Sequence, residues 1–350
     1  MLQTVNLNGC TGLTELGENC FQSCEKLENI DLTGCGELTE FGVGCFSNCK
    51  NLETLDLSQL TKLKVISKNA FYSCEKLKNV NLSGCAELTE LGEACFVSCK
   101  SLETLDLSQL TKLKVINKNA FYSCEKLKNV NLSGCDELTE FGVGCFSSCK
   151  SLETLDLSQL TKLKVINKNV FSSCSKLKNV NLTGCVELTE LGEECFKDCN
   201  NLETLDLSHC VKLKAIGKQL FKELRMLKKL NLNGCIGLTE LGEYSFLSCD
   251  KLESVDLTGC IELIKFGQSC FSSCTNLVTL DLSQCIKLEK IETYPFYNCP
   301  KSIIKLPTSI KKINSGTFSY INKVLVPNEE IKNLVKNSGC PENKIEIYTP

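Results

Sequence analysis

Histidine is almost absent from this chain: His209 is the only one among 350 residues, and there is no Trp. A single imidazole excludes a multi-histidine metal cage, and paired C-x-x-C knuckles that could replace it for zinc are missing. No G-x-S-x-G, P-loop or H-E-x-x-H is present, so no familiar arrangement for acyl transfer, nucleotide binding or zinc hydrolysis can be read from the sequence. Charge of one sign is lacking too. With 39 basic against 42 acidic side chains the formal net charge is -3, which leaves no sustained positive field for a nucleic-acid backbone. Long apolar runs are missing, since no stretch approaches the ~18 residues of a membrane-spanning helix. The opening MLQTVNLNGC has neither the basic nor the apolar segment of a signal peptide. No cofactor and no membrane insertion are expected, and catalysis is not.

What the chain does have is repetition. Shifted against itself by 25 residues it divides into twelve coils, starting at Leu2 and recurring at Leu27, Leu52 and so on to Leu277. We expect residues 1–301 to form twelve repeats, 302–326 a degenerate repeat, and 327–350 a closing helix and strand. A second period of 50 is superimposed, because residues 52–101 match residues 102–151 at 44 of 50 positions. Duplication of a two-coil segment explains it.

A typical coil reads L-x-x-L-x-L-S-G-C-x-E-L-T-E-L-G-x-x-C-F-x-S-C-x-x. Apolar residues at coil positions 4 and 6 with polar ones at 3 and 5 are the alternation of a half-buried strand. The S-G or S-Q that follows turns the chain, L-T-E-L is a second short extended piece, and x-x-C-F-x-S-C has room for about one helical turn. Such a coil cannot bury its apolar face alone, but stacked copies about 4.8 Å apart share a continuous core. The expected fold is an α/β repeat solenoid: a horseshoe or superhelix with a parallel concave β-sheet and short helical or irregular convex segments. Thirteen of the sixteen Phe residues, from Phe21 through Phe146 to Phe318, recur at one coil position, which predicts a packed aromatic spine.

The strand-plus-F-x-x-C grammar resembles the BspA-like, or Treponema-type, leucine-rich repeats found in surface proteins of bacteria and parasitic protists. LKVISKNAFYSC at 63–74, LKVINKNAFYSC at 113–124 and IIKLPTSIKKINSGTF at 303–318 carry that likeness. Most coils replace the usual Pro with L-S-G-C or L-S-Q-L and run to 25 residues, in which they also resemble the cysteine-containing leucine-rich repeats of F-box adaptors. The BspA likeness implies adhesion or host-surface contact, and the second implies an intracellular adaptor. Near the end, VPNEEIKNLVKNSGCPENKIEI resembles the closing segment of BspA-like arrays. There Asn328 can cap a helix with Ile331, Leu334 and Val335 on one face, Gly339 can end it, and Ile345 with Ile347 can add a strand.

The 27 cysteines fall into three columns, coil positions 9, 19 and 23, with only Cys340 outside them. Leu60, Leu110 and Leu160 replace them at position 9, Ala70, Ala120, Val170 and Leu220 at position 19, and Leu224 at position 23; Ser245 and Pro295, both at position 19, are the exceptions to apolar replacement. Replacement by apolar residues is how a small buried hydrophobe behaves, so free core thiols are expected. A disulfide ladder between neighbouring coils is the alternative, since stacked coils lie within bridging range.

In leucine-rich repeats the outward strand positions, here 2, 3 and 5, form the usual binding surface. At position 2 the charge alternates along Glu53, Lys78, Glu103, Lys128, Glu153 and Lys178. Position 5 alternates Asp56, Asn81, Asp106, Asn131, Asp156 and Asn181. Unlike charges on adjacent strands also fix register and keep the surface soluble. These twelve residues are the candidate binding face, for a protein such as a host-surface or matrix protein, or for a glycan. Coils nine to twelve depart from the consensus at His209, Arg225, Tyr244 and Tyr294, residue types that interfaces favour, and form a second candidate surface. The function expected is a non-enzymatic leucine-rich-repeat binding scaffold. The alternatives are a structural protein assembling end to end through an uncapped N-terminal coil, and the intracellular adaptor.

Overall fold

The computed structural model describes residues 2–292 and 294–349. The chain is a parallel-strand β-solenoid of about 14 turns. It divides into two compact units, Met1–Val180 and Asn181–Pro350, and the same coil builds both.

In the first unit each coil contributes a three-residue strand at positions 3 to 5, such as Thr54–Asp56 and Thr104–Asp106. Position 4 turns inward while 3 and 5 face out, so Leu55 and Leu105 are buried between exposed neighbours. Pairing is parallel and shifted by one coil: Thr54, Leu55 and Asp56 lie beside Asn79, Val80 and Asn81. A two-residue second strand at positions 14 and 15 repeats the arrangement, with Glu40 and Phe41 beside Val65 and Ile66. The second unit follows the same plan; Thr204, Leu205 and Asp206 pair with Lys229, Leu230 and Asn231.

The expected helical turn in x-x-C-F-x-S-C does not form. Coil positions 18 and 22 are left-handed, as at Asn69 (φ 57°) and Ser73 (φ 55°), and residues 68–73 between the strands are turns, not helix. A residue with positive φ ends the run of αR geometry that a helix needs. Instead, alternate N–H groups reach across to the next coil: Asn69, Phe71 and Ser73 donate to the carbonyls of Glu93, Cys95 and Val97 at 2.9, 2.8 and 2.7 Å. The intervening Tyr72 donates back to Asn69 within its own turn, at 3.1 Å. Backbone bonds therefore lace the coils together on this side as well as through the strands.

Between these two sides lies the core. The aromatic spine is present: in the first unit Phe71, Phe96, Phe121 and Phe146 stack with centroids 5.2 to 5.4 Å apart and rings within 8° of parallel. In the second, Phe246 and Phe271 stack at 4.7 Å. Phe41 and Phe141, at position 15, meet the spine edge-on.

Among the described residues the one α-helix is Glu329–Asn337, in the second unit. Asn328 caps it, its Oδ1 accepting from the Ile331 N–H at 2.9 Å. Ile331 and Val335 are buried, whereas Leu334 is only half so. Past Gly339 (φ 90°) the strand Ile345–Ile347 pairs with Ile321–Val326.

Candidate binding face

On the first-strand face of the first unit the side chains at position 2 are joined in pairs. Lys78 reaches Glu53 at 2.9 Å and Lys128 reaches Glu103 at 2.9 Å, while Lys178 stands 3.7 Å from Glu153. Hydrogen bonds from Lys78 and Lys128, reinforced by their charge, hold the Glu53 and Glu103 carboxyls below the usual range. All six residues are at least partly in solvent, where such pairs add little stability and fix side-chain position instead.

Position 5 has a structural duty that its spacing did not reveal. Asp56 and Asp106 each accept the backbone N–H two residues on, at 2.9 Å, and the amides of Asn81 and Asn131 donate to them from the next coil at 3.0 Å. Asn81, Asn131, Asp156 and Asn181 close the same turn, accepting from the N–H of Ser83, Ser133, Ser158 and Thr183. Each is an Asx turn ending its strand. The candidate face is thus largely committed to itself.

Position 3 is different. Thr54, Asn79, Thr104, Asn129 and Thr154 are exposed, and no hydrogen bond is made by these side chains among the described residues. Sequence alternation placed this position outward without singling out any residue in it. The signal was available: a regular Thr/Asn alternation between the charged column and the Asx column.

His209, Arg225, Tyr244 and Tyr294 are not brought into one site. His209 is exposed in the turn at position 8, Arg225 is exposed at position 24, and the two Tyr residues occupy the left-handed position 18, two coils apart. The second unit does hold concavities that the sequence reading missed, two of them along its strand columns. One, of about 450 Å³, lies on the first-strand face over Asp206, Asn231 and Asp256. The other, about 650 Å³, runs where Gly192, Gly217 and Gly242 follow one another at position 16. A Cβ at Gly242 would stand 2.7 Å from the Ile216 carbonyl, so only glycine fits that backbone contact. The consecutive glycines were the available signal.

Twenty-four of the cysteines are buried; Cys10 and Cys20 are exposed and Cys24 is intermediate. At position 23 the thiol acts as a donor: Cys74, Cys99 and Cys124 give their S–H to the carbonyls of Phe46, Phe71 and Phe96 at 3.3 to 3.4 Å. Cys85 and Cys135, at position 9, do the same toward Leu57 and Leu107. Burial pushes the thiols of Cys85, Cys124 and Cys174 up to about 12, which removes them as nucleophiles near neutral pH. Among the described residues no cluster of His, Cys, Asp or Glu is arranged to hold a metal ion.

Two parallel strand columns, a recurring Asx turn and an F-x-x-C segment, broken at Leu224, make up the pattern that a model of the BspA-type leucine-rich repeat region, six copies long, matches over residues 1–114, 89–212 and 189–325. The chain belongs to the BspA-type leucine-rich repeat family. Its fold is also that of a leucine-rich repeat protein from Bacteroides ovatus, with a TM-score of 0.68 at 23% identity over 99% of this chain and 92% of that one. A leucine-rich cell surface protein from Faecalibacterium prausnitzii aligns with a TM-score of 0.41 at 16% identity, covering 95% and 90%. The functional domain of InlJ from Listeria monocytogenes, which includes a cysteine ladder, aligns at 0.37 and 20% identity, covering 87% and 63%. No curated protein sequence matches this chain. BspA-type proteins are repeat proteins, typically non-enzymatic, and no helix among the described residues is long and apolar enough to cross a membrane.

Proposed function

We propose that this BspA-type chain is a non-enzymatic scaffold that binds a protein partner through its first-strand face, in a cell-surface or adhesive role. The observation that carries the reading is the position-3 column. Thr54, Asn79, Thr104, Asn129 and Thr154 present unspent hydrogen-bonding groups at a repeat of about 4.8 Å, between a column of paired charges and a column committed to Asx turns. An extended partner with polar groups at the same spacing gains a row of hydrogen bonds there without having to break ion pairs. Family membership supports the adhesive role, because BspA-like repeats occur in surface proteins. Raised thiol pKa values and a surface that repeats from coil to coil speak for binding over catalysis.

The test is binding of the full chain to immobilised matrix proteins, to immobilised glycans and to intact cells, alongside a Thr104→Lys/Asn129→Lys variant. Saturable binding to protein that weakens by about tenfold or more in the variant, at unchanged thermal midpoint, is expected. Saturable binding indifferent to the variant, or none at all, would overturn the assignment to this face. Binding to glycans alone would overturn the protein partner.

An adaptor in a reducing compartment is the second reading, favoured by the S–H donations of the position-23 and position-9 cysteines, which require thiols. A thiol count under denaturing, non-reducing conditions decides it: many bridges per chain in native material would remove this reading.

A further inference from the structure

Coil position 10 changes character between the two units. In the first it holds Thr11, Gly36, Thr61, Ala86, Thr111, Asp136 and Thr161. In the second it holds Val186, Val211, Ile236, Ile261 and Ile286, which are 42, 40, 56, 39 and 58% exposed. Each sits at the tip of a tight turn, with its N–H bonded two residues back where the turn is closed: Ile236 to Gly234 at 2.7 Å, Ile286 to Gln284 at 2.9 Å. The side chains are therefore held outward as a rigid apolar ridge of four coil steps, roughly 19 Å long. A continuous exposed aliphatic row of this kind, absent from the equivalent column of the other unit, marks an interaction surface.

The charges beside it identify the occupant. Position 11 along the same coils runs Glu187, Lys212, Gly237, Glu262, Lys287. Within the chain Lys212 meets Glu187 and Lys287 meets Glu262, both at 2.6 Å. A two-fold axis lying in the interface and crossing the ridge at Ile236 reverses the coil order of a second copy and keeps position 11 on the same side. Glu187 then faces the other copy's Lys287, Lys212 faces its Glu262, and Gly237 faces Gly237, where the missing side chain permits close approach. Every charge at position 11 meets its opposite. We infer that this ridge is the interface of an antiparallel homodimer, isologous about Ile236. Such a strip with its flanks buries on the order of 500 Å² per partner, below the ~800 Å² of a standard interface, which makes the dimer a weak and reversible one. The rim charges set its register more than its strength.

Sedimentation of the full chain from about 1 μM to 1 mM, with carbodiimide cross-linking and peptide mapping, tests this. The intrachain pair Lys212–Glu187 is the internal control. A reversible dimer that yields a Glu187–Lys287 cross-link is expected; these residues lie four coils apart in one chain, beyond zero-length reach. Ile236→Lys sets two ammonium groups face to face at the axis and should weaken association by about tenfold or more, while Ile236→Leu keeps it. Since Ile236 is exposed, both variants should keep the wild-type thermal midpoint. A chain that stays monomeric throughout, association without the Glu187–Lys287 cross-link, or an Ile236→Lys protein that associates like wild type would each overturn the dimer.

Discussion

Cys99 gives its S–H to the carbonyl oxygen of Phe71, 3.4 Å away in the preceding coil. The residue is fully buried, so the thiol fills space as a small hydrophobe and also satisfies a carbonyl facing the core. Cys95, four residues earlier, is equally buried, but its column already holds Ala70 and Ala120 in the flanking coils. Cys99→Ala should therefore cost about 1–2 kcal/mol and Cys95→Ala less than about 1 kcal/mol. Urea denaturation of the two variants checks the order; equal losses would remove the donor role.

Alkaline pH should unfold the protein early. Burial pushes Cys85, Cys124 and Cys174 up to about 12, whereas thiols of an unfolded chain ionise near 8.5. A group whose folded pKa is raised contributes stability that is complete below its unfolded pKa and disappears as pH climbs toward the folded one. Denaturation midpoints should be level from pH 7 to about 8 and fall steadily above 9. A midpoint independent of pH up to 10.5 would contradict it.

The aromatic spine offers a third measurement. Phe121 stacks on Phe96 at 5.4 Å and on Phe146 at 5.2 Å. Phe121→Ala removes a fully buried ring with two stacked neighbours and should cost about 3–5 kcal/mol, with Phe121→Leu retaining most of the difference. Calorimetric midpoints of both variants provide the comparison.

Glycine should stabilise one position where it ordinarily does harm. Ala94 is left-handed, φ 55°, while Gly44 and Gly144 hold the same coil position two coils away on either side. A left-handed L-residue carries a cost of roughly 1–2 kcal/mol. Ala94→Gly relieves it but adds unfolded-state entropy, for a net gain of about 0.5–1 kcal/mol in chemical denaturation. A loss would mean that the surrounding turn tolerates Ala without strain.

How much of this could be read from the sequence depends on the distance over which each signal acts. The inward Leu55 and outward Asp56 follow from alternation between adjacent residues, and the Phe column follows from the 25-residue period; both are printed in the chain. The left-handed turns are not. Ser, Asn, Ala, Glu and Tyr all occupy the left-handed positions, at Ser73, Asn69, Ala94, Glu194 and Tyr244, so no residue type announces them. Contacts with the next coil impose the conformation. For the candidate face, polarity correctly placed Glu53 to Lys178 outward, but the commitment of Asp56 to the Ser58 N–H depends on where the strand ends. That left the Thr54 to Thr154 column, chemically plainer and less engaged, without a residue named in it.

The pairing of Glu53 with Lys78 and of Glu103 with Lys128 also governs how a gene for such a chain can change its length. Unequal exchange between the near-identical stretches 52–101 and 102–151 adds or removes 50 residues and leaves each lysine beside a glutamate. Loss of 25 residues alone, for example 102–126, would bring the coil of Lys78 against the coil of Lys128 and set ammonium beside ammonium. Steps of two coils keep the alternation along this stretch, and a step of one coil breaks it.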